Sequence, residues 1–176
     1  MKALKWILIF VVTLVAAMLL FGLALPSTFR VEREATIKAT PERIYALVAD
    51  PREWAKWSVW NERDPKMKIT YSGAPTGKGA KWAWESATEG NGSMEFTNAV
   101  PGRVVEFALS FPDMGMNSRG AMSFVGKGES TTVYWHNEGD VGANPVYRYF
   151  ALAMDKLVGP DFEKGLANLK AVAEKP

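Results

Sequence analysis

The stretch ATPERIYALVADPREWAKWSVW, residues 39–60, decides the reading of the fold. Thr40 followed by Pro41 is a helix start: a hydroxyl N-cap, then a proline whose missing N–H falls where the helix has no partner for it. Ile44, Leu47 and Val48 follow at helical spacing and form one apolar stripe. Asp50-Pro51 stops this helix, and Asp50 can cap a second one running through PREWAKWSVW. There Trp54, Trp57 and Ser58 share a face and Trp60 follows in the exit. The tryptophans either gate an interior space or staple the short helices to a sheet.

Strand signals flank this stretch on both sides. Upstream, FRVEREATIK (residues 29–38) sets Val31, Arg33, Ala35 and Ile37 against Glu32, Glu34 and Thr36, the period of two that marks a strand. Arg33, near the strand end, is expected to reach solvent. Downstream, six short alternating segments are placed near residues 67–71, 80–87, 92–100, 103–111, 120–125 and 131–138. Turn residues separate them: Gly73 to Gly77, Glu89 to Gly92, Pro101-Gly102, Pro112-Asp113 and Gly126 to Gly128. Links this short make sequential hairpins and an antiparallel meander. From Pro145 the apolar positions Val146, Phe150, Ala153, Met154 and Leu157 return at three and four residues. Gly159-Pro160 interrupts, and Phe162, Leu166, Leu169 and Val172 resume, which predicts a kinked or two-part C-terminal helix.

An α+β architecture follows, because one antiparallel sheet cannot cover its own apolar face and the long helix must pack across it. Side chains two apart share a sheet face. Trp82 with Trp84, Met94 with Phe96, and Val105, Phe107, Leu109 with Phe111 therefore fall on the same side as Met122, Phe124, Val133 and Trp135. Rings and thioethers suit a broad, adaptable apolar cavity, and equally a filled core. In this register no Asp, Glu, Lys, Arg or His of these strands points inward, which favours binding over acid–base chemistry. Polar groups that could still enter the interior are Ser58, Asn61, Tyr71, Tyr147, Asp155 and Arg33.

Composition narrows the functions further. The 176 residues include no cysteine and one histidine. This excludes disulfides, thiolate zinc sites, iron–sulfur clusters, a cysteine nucleophile and His-cluster metal sites. Of 21 basic residues, Lys2 and Lys5 precede an apolar run, and the others balance the 19 acidic ones. A neutral body offers nucleic acid no clustered positive charge. Residues 73–79, GAPTGKG, are one residue short of a phosphate loop and lack the following Ser or Thr. They read as a turn. Asn91-Gly-Ser93 reads as a hairpin turn, and His136 as a surface strand position with no nucleophile motif to serve.

From Trp6 to Leu25 the chain is apolar and uncharged. About 20 residues at 1.5 Å each span roughly 30 Å, the hydrocarbon thickness of a bilayer. Residues 1–26 are expected to be a single-pass anchor, with 27–176 one folded domain. A cleaved signal peptide, with the small pair Gly22 and Ala24 before its cut, is the alternative, and the domain would then be secreted. Lys2 and Lys5 tight against the run favour a cytoplasmic N-terminus at the cell membrane and an extracytoplasmic domain.

The phrase Ala39-Thr-Pro-Glu-Arg-Ile-Tyr-Ala-Leu-Val-Ala-Asp50-Pro51 with Trp54 and Trp57 resembles the START/Bet v 1-like superfamily, in its bacterial polyketide cyclase/dehydrase (SRPBCC) branch. Gly77-Lys-Gly79-Ala80, Thr131 to Trp135 and Asp161 to Leu166 are further echoes. The resemblance spans residues 29–174 and implies a helix-grip fold with an apolar cavity between sheet and C-terminal helix. It also implies binding or transfer of lipids and hydrophobic small molecules, or aromatase/cyclase activity. The expected ligand-binding residues are Trp57, Trp60, Trp82, Trp84, Met94, Phe96, Phe107, Phe111, Met122, Trp135 and Met154. No catalytic residue, metal ligand or cofactor site is assigned. The reading is a membrane-tethered, non-enzymatic domain for a hydrophobic small molecule or lipid. A cyclase- or dehydrase-like enzyme and a closed protein-interaction domain are the alternatives.

Overall fold

The computed structural model describes residues 2–175. A helix α1 (Lys2–Ala24) leads into strand β1 (Thr28–Ile37) and helix α2 (Pro41–Ala49). A 3-10 turn (Glu53–Lys56) and a short helix α3 (Val59–Arg63) follow. Then come β2 (Lys68–Gly73), β3 (Ala80–Glu85), β4 (Gly92–Val100), β5 (Val104–Phe111), β6 (Met116–Lys127) and β7 (Ser130–Asp140). Helix α4 (Pro145–Ala173) closes the chain.

The helix start at Thr40 has its physical cause in view. Thr40 is extended (φ −72°, ψ 153°), its Oγ1 accepts from the Arg43 N–H at 3.3 Å, and Pro41 occupies the first turn. The region after Asp50 differs from the single second helix expected. Asp50 Oδ1 accepts from the Arg52 N–H at 2.8 Å, but the helix that follows lasts one 3-10 turn. Ser58 is extended, and α3 starts afresh at Val59. Tertiary contacts override the local pattern here, because the Trp54 and Trp57 indoles donate back to the Val48 and Leu47 carbonyls at 2.8 and 3.0 Å. These two rings staple α2 to the sheet.

The seven strands form one sheet in the order β1-β7-β6-β5-β4-β3-β2, antiparallel throughout. A bulge between Phe96 and Asn98 shifts the β4–β5 register, the kind of insertion that bends a strand and deepens sheet twist. Strand β6 begins at Met116 rather than near Gly120, which adds Met116 and Ser118 to the inward-facing positions. The core is deepest where α2 and the second half of α4 meet the sheet: Ile44, Val48, Phe96, Val105, Met122, Val133, Leu166 and Leu169 are buried there.

Helix α4 runs unbroken through Gly159-Pro160, against the two-part expectation. Arg33 explains both the continuity and the glycine. Its side chain faces α4 rather than solvent, donating from Nη1 to Asp155 and from Nε to Glu163, each at 2.7 Å. A Cβ at Gly159 would overlap the guanidinium. The ion pairs straddle Pro160 and hold the two halves of the helix to β1. They raise the pKa of Arg33, through Asp155 and then Glu163, and Arg33 in turn holds Asp155 below the usual carboxylate range.

The end of α1 is fixed to the start of α4. Arg148 Nη1 donates to the carbonyls of Leu23 (2.5 Å) and Leu25 (3.1 Å), meeting groups a helix C-terminus leaves free. Tyr149 donates to the Met18 carbonyl at 2.6 Å. Gly22 allows this approach: a Cβ there would lie 2.7 Å from the Pro145 carbonyl oxygen.

Candidate functional site

Between the concave face of the sheet and the first half of α4 lies a cavity of about 440 Å³. A volume of this order suits a small ligand. Its floor is Trp82, Trp84, Met94, Phe107, Leu109, Phe111 and Trp135; α4 contributes Tyr147, Phe150, Met154, Val158 and Phe162. Trp54 and Trp60 close one side, and Phe29, Met114 and Met116 the other. Among these lining residues there is no Lys, Arg or His.

Eight of the expected binding residues meet in this lining: Trp60, Trp82, Trp84, Met94, Phe107, Phe111, Trp135 and Met154. Trp57, Phe96 and Met122 do not, and lie buried behind it. Alternation along a strand fixes the face but not the depth. Phe96 and Met122 share the inward face, yet sit toward the end of the sheet that α2 and the second half of α4 fill solid. Trp57 is turned away by its bond to Leu47. Of the three tryptophans after Asp50, Trp54 staples and lines, Trp57 staples, and Trp60 lines.

Three cross-strand pairs keep the interior open. Phe29 pairs with Gly139, Trp84 with Gly92, and Phe107 with Gly120. In each, the ring lies over the glycine of the neighbouring strand. A Cβ would come within 2.7 Å of the Phe29 ring at Gly139 and 2.6 Å of the Phe107 ring at Gly120, and would overlap the Trp84 indole at Gly92. Rings seated against a glycine rather than over a side chain take up less of the space above the sheet. Trp135 is the hub of the inner wall, stacked on Phe162 at 4.1 Å and 7°, with Trp54, Trp57 and Trp60 edge-on around it. Gly165 lets this indole approach α4.

The polar groups of the lining are Ser58, Asn61, Glu89, Asn117, Ser118, Asn137 and Tyr147. Ser118 was missed because β6 begins earlier than expected, whereas Asn137 falls inside the expected strand at 131–138, in phase with Val133 and Trp135. Met116 and Ser118 are in phase with Met122, which is the signal that would have found them. Ser118 Oγ, Asn137 Oδ1 and Trp135 Nε1 are buried without a hydrogen-bond partner among the described residues. Leaving such a group unmet costs about 1–3 kcal/mol. Glu89 is the one carboxylate on the lining, and its Oε2 lies 3.5 Å from Arg63. Arg63 also donates to Asp161 at 2.6 Å, tying α3 to α4 beside the cavity. Tyr71 and Asp155 stay outside: Tyr71 lies beneath the Arg52 guanidinium at 4.8 Å, its phenol pKa raised by burial, and Asp155 is engaged with Arg33. His136 faces outward opposite Glu32.

A second, wider concavity runs along α2, lined by Arg43, Tyr45, Leu47, Asp50 and Glu53 among others. It is an open groove and lacks the ring-lined enclosure of the first. No group of three or more His, Asp or Glu that could hold a metal ion occurs among the described residues.

A curved seven-stranded antiparallel sheet gripping a long C-terminal helix around an apolar cavity defines a helix-grip protein. The chain belongs to the family described as polyketide cyclase/dehydrase and lipid transport, whose sequence model matches residues 28–174, and thereby to the SRPBCC superfamily. Among solved structures it is similar to the Zhui aromatase/cyclase from Streptomyces sp. R1128 (TM-score 0.64, 14% identity, covering 84% of this chain and 94% of that one). It is also similar to protein CV1439 from Chromobacterium violaceum (0.60, 20%, 85% and 99%). A third similar structure is the Aha1 dimer from Colwellia psychrerythraea (0.56, 16%, 82% and 96%). At these identities the likeness is one of fold. No curated protein matches the sequence.

Proposed function

We propose that this chain is a membrane-tethered, non-enzymatic binding domain for a hydrophobic small molecule or lipid. The observation that supports it is the cavity itself: enclosed by rings and thioethers, lined by no basic side chain, and carrying one carboxylate already engaged by Arg63. General acid–base work needs an ionisable group at the reacting atom, and the inward faces of the strands offer none. A polyketide cyclase-like activity is the second reading, favoured by the family match. Under it, Glu89 and Tyr147 are the groups on the lining able to move a proton.

The tether is α1, long and apolar enough to cross a membrane, with its last turns fixed against α4. The test uses the full chain in lipid nanodiscs with N-phenyl-1-naphthylamine, a neutral apolar dye. Saturable fluorescence above that of empty discs is expected, and it is lost in Leu109→Trp, which fills the cavity from β5. Dye binding that does not saturate, or that Leu109→Trp leaves intact, overturns the reading.

A further inference from the structure

Two of the aromatic–glycine pairs enclose a polar notch. Ser118 of β6 stands opposite Gly139 of β7, and Asn137 of β7 stands opposite Gly120 of β6. The glycines occupy one diagonal of this four-residue unit and receive the rings of Phe29 and Phe107. The polar side chains occupy the other diagonal, on the cavity wall. Trp135 lies two residues before Asn137 on the same face of β7. Ser118 Oγ, Asn137 Oδ1 and Trp135 Nε1 are all buried with no partner among the described residues.

Grouped hydrogen-bonding atoms in an otherwise ring-lined space are a recognition element, because each is met only by something entering the cavity. Their chemistry states what enters. The indole N–H only donates, the serine hydroxyl donates and accepts, and the asparagine amide offers both a carbonyl and an NH₂. A group that donates and accepts at one atom fits all three. A carboxylate or phosphate does not fit, because the lining supplies no cation to it.

We infer that Ser118, Trp135 and Asn137 form a head-group subsite that takes a neutral hydroxyl on an otherwise apolar ligand. The inference rests on the cavity-binding reading and names the ligand class within it: uncharged hydroxylated amphiphiles rather than plain hydrocarbons or fatty acids. It also orients the ligand, with the hydroxyl against β6–β7 and the apolar body along Trp82, Trp84 and Met154.

The test is displacement of the dye by naphthalene, 2-naphthol and 2-naphthoate at neutral pH. It uses the full chain in nanodiscs, each value corrected for partition into empty discs. In the wild-type chain 2-naphthol is expected to bind about tenfold more tightly than naphthalene, the factor one net hydrogen bond gives, and 2-naphthoate at least about tenfold more weakly than 2-naphthol. Asn137→Leu and Ser118→Ala each bring the ratio of naphthol to naphthalene affinity toward unity, and saturable displacement by naphthalene reports an intact cavity. Naphthol and naphthalene binding equally, naphthoate matching naphthol, or a preference surviving both substitutions overturns the subsite and leaves the cavity reading standing. Dye that none of the three compounds displaces overturns the subsite alone, and failure of the dye itself to bind saturably overturns both.

Discussion

At Gly92, Gly120 and Gly139 a hydrogen stands where a methyl group would push a ring off the sheet. Gly92→Ala is the cleanest probe, because the three atoms nearest the added carbon all belong to the Trp84 ring. Displacing that indole is expected to cost about 1–3 kcal/mol in chemical denaturation, as overpacking does, and to weaken dye binding by shrinking the cavity. Unchanged stability with unchanged affinity would show that the ring has room to spare. These glycines read in the sequence as strand or turn residues; their role rests on cross-strand register, which no single segment encodes. His136 supplies a second residue-scale test, since it is the only histidine. Burial and the nearby Arg30 lower its pKa, against the smaller opposite pull of Glu138, Glu32 and Glu106. The unfolded chain therefore binds more protons below the ordinary histidine value of about 6.5. Stability is at its full value above that pH and falls as pH drops through the depressed folded value. His136→Gln should flatten the slope of unfolding free energy between about pH 5 and 7, and an unaltered slope would assign it elsewhere.

Helix α4 shows what one element owes to another. Its sequence carries a break signal at Gly159-Pro160, and a helix-interior proline costs about 3 kcal/mol on its own. The structure keeps the helix whole because Arg33, on the facing strand, lies against Gly159 and grips Asp155 and Glu163 on either side. Helix propensity alone favours Gly159→Ala by about 1 kcal/mol. With Arg33 present the substitution is expected instead to destabilise by about 1 kcal/mol or more, since the new carbon displaces a guanidinium held by two carboxylates. In an Arg33→Ala background the sign reverses, and a double-mutant cycle by chemical denaturation measures the difference. Additive effects would detach the glycine from Arg33. The same element shows why sheet and helix were legible while the lining was only partly so. Period and turn residues mark β4 to β7 and both halves of α4. Where the space between them is hollow depends on how far each strand runs past its hydrophobic stretch. Met116 to Ser118 belong to such an overhang, whereas Phe96 and Met122 lie beneath the filled end.

For the molecule as a whole, the anchor and the cavity lie at the same end. Helix α1 enters β1 at Thr28, which pairs with Asp140 at the end of β7, and α4 begins a few residues later. Phe111, Met114 and Met116, at the β5–β6 connection, close the cavity at that end with Tyr147 and Phe150 of α4. Met114 and Phe150 are half exposed, so the rim itself is apolar. A tether spanning the bilayer would hold this rim at the lipid surface, where an apolar ligand partitions and from which it reaches Ser118 and Asn137 without crossing water. Val125 is equally exposed but lies nine residues from Met116 along β6, about 30 Å away at a strand's rise per residue. The absence of cysteine allows single labels to be placed without background. Bimane at Met114→Cys or Phe150→Cys, in the full chain reconstituted into nanodiscs containing doxyl-labelled lipid, should be strongly quenched, and bimane at Val125→Cys hardly at all. Equal quenching at the three sites, or quenching confined to Val125, would place the rim away from the bilayer and remove the membrane from the route of ligand entry.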